Sequence, residues 1–302
     1  MKKKSQFTEK TLRLNTEIEH FFMRFTKMHG LGNDFIFFEN LDNIDMDYSA
    51  MAIRMCHRQL GIGADGIIAV LPSKVADLRM RIINADGSEA NMCGNAIRCF
   101  GKYAYERGLV KSKTCRIETF AGIIIPEVIT ENEKVISVRV NMGKPNTERK
   151  FIPMLGNEKE AIQVPVQIGD RKFHLTSLLM GVPHTMIFVP DLNAIELEKT
   201  GRAVEKHHLF PKGTNVNFVE VVSRDRVKLQ TWERGAGATL ACGTGSCASA
   251  VASAINNYTG RNVSVELQYG QLDIEWAEDG TVFMTGPAEE SFSGETGFNP
   301  ES

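Results

Sequence analysis

The chain has 302 residues, of which 42% are hydrophobic and 24% charged, and its formal net charge is −2. That length is enough for two domains with real cores, and the near-neutral balance argues against nucleic-acid and anionic-membrane partners. The longest apolar runs, such as residues 122–126, fall far short of the roughly 20 residues a membrane-spanning helix needs.

Residues 1–22 open with lysines and carry no apolar stretch behind them. They do not read as a secretory signal, and the expectation is a polar extension ahead of a folded part that begins at Met23. RFTKMHG (24–30) then leads to DFIFFEN (34–40), and strand-like stretches follow at 66–72, 78–84, 115–129 and 134–142. Later ones lie at 184–191, 215–222, 226–233, 263–270, 272–279 and 281–288. They are rich in Val, Ile, Phe and Thr, and several alternate apolar with polar residues. Helical patterns are few, at 50–60, 94–108, 197–207 and 243–257. The expected class is therefore α+β, rich in strands, with two long helices that matter.

Two stretches share one plan. NADGSEANMCGNAIRC (84–99) and ERGAGATLACGTGSC (233–247) each leave a strand, cross a glycine-bearing loop, reach Cys-Gly and enter a helix. Asn84 precedes Cys93 by nine residues, as Glu233 precedes Cys242. A duplicated unit explains this better than chance. It divides the chain into an extension (1–22), a first domain with Cys93 (23–143) and a second with Cys242 (144–302), whose last strand is free to return to the first domain. Each domain is expected to wrap around its helix, with the active site in the cleft between them.

The first N–H groups of a helix lack internal partners and carry partial positive charge. A cysteine there is expected to have a lowered pKa, and the N–H groups behind it form an anion site. Two such helix starts facing each other would place two sulfurs on opposite sides of one carbon. A thiolate can then take a proton from one face while a thiol returns one to the other, with the substrate carboxylate held among the N–H groups. The remaining cysteines, Cys56, Cys99, Cys115 and Cys247, read as small buried apolar residues. No CxxC pair supports a redox role, no third ligand joins Cys56-His57 or His207-His208 into a metal site, and no motif asks for pyridoxal phosphate. A two-lobed binding protein without catalysis would use the same helix starts but would not need the two thiols.

The motifs FTKMHGLGNDF (25–35), GIGADG (61–66), NADGSEANMCGNAIRC (84–99), VNMGKP (140–145), FPKGTNVNF (210–218) and WERGAGATLACGTGSC (232–247) together resemble those of the diaminopimelate epimerases, cofactor-independent enzymes of lysine and peptidoglycan precursor synthesis. The GLGNDF, ERGAG and CGTG set argues against the related proline racemase type. The resemblance implies a pseudo-symmetric two-domain fold and catalytic Cys93 and Cys242, supported by His184 and Glu233. It implies that Asn33, Asn84, Asn215, Glu233 and Arg234 bind the polar groups of the substrate, with Gly94, Asn95, Gly243 and Thr244 around the reacting carboxylate. From the residues alone, Asn33 and Asn84 serve equally well as turn residues bonded to their own backbone. The resemblance further implies a homodimer with a small amino acid as substrate and no cofactor, while six cysteines without a CxxC pair or an export signal read as free thiols in a reducing cytoplasm, with no metal expected. One position departs: MGVPH places Val182 where the family has asparagine, which leaves lanthionine or histidine as alternative substrates.

Overall fold

The structure, a computed structural model, describes residues 21–298. The extension read at 1–22 lies outside the described residues except for its last two, which begin the first strand. In chain order the elements are β1 (Phe21–Gly30), β2 (Asn33–Glu39), α1 (Tyr48–Met55), β3 (Gly66–Leu71), β4 (Leu78–Asn84), β5 (Glu89–Ala90), α2 (Gly94–Glu106), β6 (Ile117–Thr119) and β7 (Gly122–Ile124). There follow β8 (Glu127–Glu131), β9 (Lys134–Gly143), β10 (Ala161–Ile168), β11 (Arg171–Met180), β12 (Val182–Phe188), α3 (Leu197–Glu205), β13 (Asn215–Ser223), β14 (Arg226–Glu233) and β15 (Gly237–Thr239). The chain continues through α4 (Gly243–Ile255), β16 (Asn262–Leu267), β17 (Gly270–Trp276), β18 (Val282–Gly286) and β19 (Glu289–Phe298). This is an α+β fold of two strand-rich domains with four α-helices among the described residues.

One sheet runs β19-β1-β2-β3-β4-β6-β7, with β5 paired to β4. The other runs β10-β11-β12-β13-β14-β16-β17-β18-β9-β8, with β15 paired to β14. Alternation along each strand sorts side chains onto two faces. On β2, Phe35 and Phe37 pack on the α2 side, while Ile36 and Phe38 pack with Met51 and Ala52 of α1. β3, covered on both faces, is buried throughout. In the second sheet, Val216 and Phe218 pack with Val204 of α3, and Val219, Val227 and Leu229 pack on the α4 side.

The α2 and α4 helices are equal in length, each 13 residues and each capped by a cysteine. Both are buried over most of their first three turns, as a helix in the centre of a domain must be. The chain crosses between the halves more than once. β19 pairs with β1, and β9 pairs with β18 while its Val135, Val138 and Val140 fill the α2 core. Leu31, in the turn between β1 and β2, takes a left-handed conformation (φ 58°) and buries its side chain in the α4 core.

Several element limits differ from the sequence expectation for local reasons. α1 stops at Met55 because the chain folds back: the N–H groups of Ile62 and Gly63 both donate to the Met55 carbonyl, which a longer helix would have claimed. Gly61 is required there, since a Cβ would lie 2.6 Å from that carbonyl oxygen. The run 115–129 is broken into β6, β7 and β8 by a tight turn at Gly122 (φ 105°) and by Pro126. Among the described residues no helix is long and apolar enough to cross a membrane.

Candidate active site

In the first domain the register aligns Phe35 with Gly66 and Gly66 with Asn84, so the ends of β2, β3 and β4 meet at one sheet edge. Asn33 lies at this edge. Its Nδ2 donates to Asp65 Oδ2 (2.7 Å), and Arg58 anchors the other oxygen of Asp65 (2.7 Å). The amide is thereby oriented with Oδ1 inward, where it accepts from Cys93 Sγ (3.7 Å) and Asn95 Nδ2 (3.0 Å). Asn84 is engaged in its own turn, its Nδ2 donating to Ser88 Oγ (3.0 Å). The turn role that the residues alone allowed is thus present at Asn84, whereas Asn33 makes no such local bond and reaches across the site.

In the second domain Cys242 caps α4, its sulfur accepting from the Gly245 N–H (3.3 Å). His184 is wholly buried on β12 and stands opposite Asn215 in the parallel pairing of β12 with β13. Two residues on, Asn217 faces the same way. Its Nδ2 donates to His184 Nδ1 (3.1 Å) and its Oδ1 accepts from Thr231 Oγ1 (3.1 Å). An amide N–H can only donate, so Nδ1 is the acceptor and the neutral ring carries its proton on Nε2. That N–H donates to Thr244 Oγ1 (3.0 Å), which leaves the Thr244 hydroxyl hydrogen to point at Cys242 Sγ (3.6 Å). A relay thus runs Thr231, Asn217, His184, Thr244, Cys242. Asn215 accepts from the Arg234 N–H (2.8 Å) through Oδ1; Arg234 is exposed and donates to the Lys212 carbonyl (3.0 Å). Glu233, at the end of β14, accepts from Thr239 Oγ1 (2.6 Å).

Asn95 joins the halves. Besides Asn33, its Nδ2 donates to the carbonyl of Ala241, the residue before Cys242 (3.1 Å). Met284 of β18 lies against both helix starts: a Cβ on Gly94 would come 3.0 Å from its Cε, and one on Gly243 3.2 Å from its Sδ. Glycine after each cysteine is therefore what lets the two helix starts approach the same methionine.

The electrostatics correct one expectation. Burial pushes both thiols up, outweighing the N–H groups of Asn95 and Ala96 at Cys93 and the Thr244 and Gly245 hydrogen bonds at Cys242. The Glu233 carboxylate adds to the rise at both sulfurs. The helix start opposes this rise without reversing it, and both groups rest as thiols. Cys56, Cys99, Cys115 and Cys247 are buried in the cores and pushed up to about 12, as burial of an inert thiol requires.

Burial, aided by the Arg234 charge, holds His184 neutral down to about 3. The unfolded chain takes up a proton near the ordinary imidazole value of about 6.5, and the folded one does not. The stability this contributes is complete above about pH 6.5 and is lost as pH falls toward 3, by up to about 1.4 kcal/mol per pH unit. Denaturant melts between pH 7 and 4 should show a steeper decline for the wild type than for His184→Gln. Equal slopes would contradict the neutral buried imidazole.

Of the residues singled out in the sequence, Asn33, Cys93, Gly94, Asn95, Gly243, His184, Thr244 and Cys242 are brought into one connected cluster, and Glu233 acts on both thiols. Asn84, Asn215 and Arg234 stand at its margin. Val182 lies two residues before His184 and so on the same face of β12, about 39% exposed. Asp65, Asn217, Thr231 and Met284 were not singled out. Asn217 carried the only usable signal, as a buried-side polar residue two places after Asn215 in the first, mostly apolar part of the strand.

Comparison with known proteins places this cluster in context. The diaminopimelate epimerase family profile matches residues 25–148 and 176–290. The diaminopimelate epimerase of Pelotomaculum thermopropionicum is 51% identical over 276 residues, covering 90% of this chain and 98% of that protein. That of Caldanaerobacter subterraneus is 49% identical over 273 residues, covering 90% and 99%. Among solved structures, a Bacillus anthracis phenazine biosynthesis protein of the PhzF family superposes with a TM-score of 0.65 at 15% identity, over 91% of this chain and 99% of that one. A probable proline racemase from Agrobacterium radiobacter K84 gives 0.65 at 14%, over 92% and 94%. At such identities the likeness concerns the fold alone. The family match and the two close relatives together establish that this chain belongs to the diaminopimelate epimerase family and is an isomerase.

Proposed function

We propose that the protein interconverts LL- and meso-diaminopimelate by proton transfer between two thiols, in lysine and peptidoglycan precursor synthesis. The observation that carries this reading is the meeting of two cysteine-capped helix starts around Asn95 and Met284. One sulfur, as thiolate, takes the α-proton; the carbon becomes planar and carbanion-like; the other, as thiol, delivers its proton to the opposite face. One S–H forms and one is lost, so the pair regains its starting protonation by proton exchange with water before the next turnover in the same direction. The N–H groups at Gly94–Asn95 and Gly243–Thr244 hold the α-carboxylate as its charge grows. The α-ammonium of the substrate, met by Glu233, supplies the positive charge that the resting thiols lack. Through Thr244, neutral His184 directs a hydrogen bond to Cys242. Arg234, with Asn215 and Asn84, is suited to the far end of the substrate. We infer a homodimer as the working form, as the family resemblance implies, in the reducing cytoplasm that its free cysteines suit.

The test is α-hydrogen exchange in heavy water with LL- and meso-diaminopimelate, lanthionine, histidine and other L-amino acids, for the wild type and Val182→Asn. Exchange centred on diaminopimelate is expected from both. Preference for another amino acid would keep the two-thiol chemistry and reassign the substrate. No exchange with any would favour a binding protein.

A further inference from the structure

Arg98 has no solvent exposure and sits five residues after Cys93 in α2. Its Nη1 donates to the Gly94 carbonyl (3.2 Å) and approaches Met284 Sδ (3.6 Å), and its Nε donates to the Pro287 carbonyl (3.2 Å). Nη2 is buried without a hydrogen-bond partner. Two glycines make room for the guanidinium: a Cβ on Gly30 would lie 2.9 Å from Nη2, and one on Gly286 3.3 Å from Nε. The other buried lysine and arginine side chains each have a carboxylate, Lys27 with Asp34 (2.8 Å) and Arg149 with Glu158 (3.0 Å). Arg98 has none among the described residues. A buried charge without a counter-charge is costly. The repeat makes it stand out further, because the position five residues after Cys242 is Cys247. Where the first repeat carries a buried cation, the second carries a neutral thiol.

We propose that Arg98 is a positioning residue that breaks the symmetry of the two-thiol site, its charge favouring the anion at Cys93 over Cys242. The inference rests on the two-thiol reading for its purpose. The charged and titratable groups coupled to Cys93 are Arg98 and Cys99 from its own helix, Glu233 from β14 and, across the site, Cys242 at the start of α4. Arg98 opposes the rise at Cys93 and also at Cys99 and Cys247, whereas Cys242 is governed by burial and Glu233.

The experiment is site-resolved alkylation by iodoacetamide from pH 6 to 10, with Cys93 read in Cys242→Ser and Cys242 in Cys93→Ser. Apparent pKa values are taken from the profiles, which removes the difference in access. Cys93 is expected about one unit or more below Cys242, a tenfold difference in thiolate fraction. In Arg98→Met the Cys93 value should rise by about a unit while that of Cys242 stays in place, and Arg98→Lys should keep most of the wild-type order. A lower value at Cys242 in the wild-type background overturns the proposal, as does an Arg98→Met profile that leaves Cys93 unmoved or moves both thiols equally. If Arg98→Met does not fold, the wild-type order decides. The readout needs no substrate, so failure of the epimerase reading shows separately in the exchange assay.

Discussion

Serine in place of either Cys93 or Cys242 should lower epimerisation by about 10³-fold or more, and the double variant should be no worse than either single one. A positioned general acid or base contributes about 10²- to 10⁴-fold, and a hydroxyl is far too weak an acid to replace a thiol in either role. Both sulfurs act in every turnover, so losing the second costs nothing further once the first is gone, as for residues that work as a unit. The hydrogen bonds of each sulfur stay within its own half, Cys93 with Asn33 and Cys242 with Thr244 and the Gly245 N–H, so serine fits without disturbing the other half. Steady-state rates in both directions, beside melting curves showing the fold intact, decide the matter. Multiplicative losses in the double variant would mean that the two residues act independently.

The second large effect is expected at Asn217, which touches neither sulfur. Asn217→Leu removes the donor that fixes the His184 tautomer and leaves Nδ1 and the Thr231 hydroxyl buried without their partner. An unsatisfied buried group costs about 1–3 kcal/mol. If that loss falls on the step in which Thr244 supports Cys242, kcat should drop by about 5- to 150-fold with little change in KM. A loss in KM alone would place His184 in substrate binding instead. A loss of melting temperature with kcat intact would leave the relay a purely structural device.

Much of this fold was legible because its strands are buried on both faces and its helices are central. Phe35 to Phe38 and Gly66 to Leu71 are apolar without interruption, as strands between two helical layers must be. The hairpin of β10 and β11 was not read. Pro165, exposed charged residues and a register shift between Ala161 and Val164 obscure the alternation there. β19 was missed because EESFSGETGF is polar and mostly exposed, and its pairing with β1 joins residues at opposite ends of the chain. In the site, the cysteines and the glycines after them, Gly94 and Gly243, could be read because the two loops repeat in sequence, whereas Asn95 was reached only through the family resemblance. The residues that orient them could not. Asp65 matters because of where β3 begins beside Asn33, and Asn217 matters because β12 and β13 run parallel in one particular register. The expected acidity of the thiols failed for a related reason: a helix start is visible in sequence, but the depth at which it is buried is not.

The most direct test of the two-thiol account is the position of deuterium in the first turnovers. LL-diaminopimelate is incubated in heavy water, and the product and the remaining substrate are separated and weighed at less than about 5% conversion. The account predicts one deuterium in every product molecule and none in the unreacted LL form, because the abstracting thiol and the donating thiol lie on opposite faces and hold different protons. Deuterium appearing in the recovered substrate as fast as in the product would mean that one group works both faces, and would contradict it.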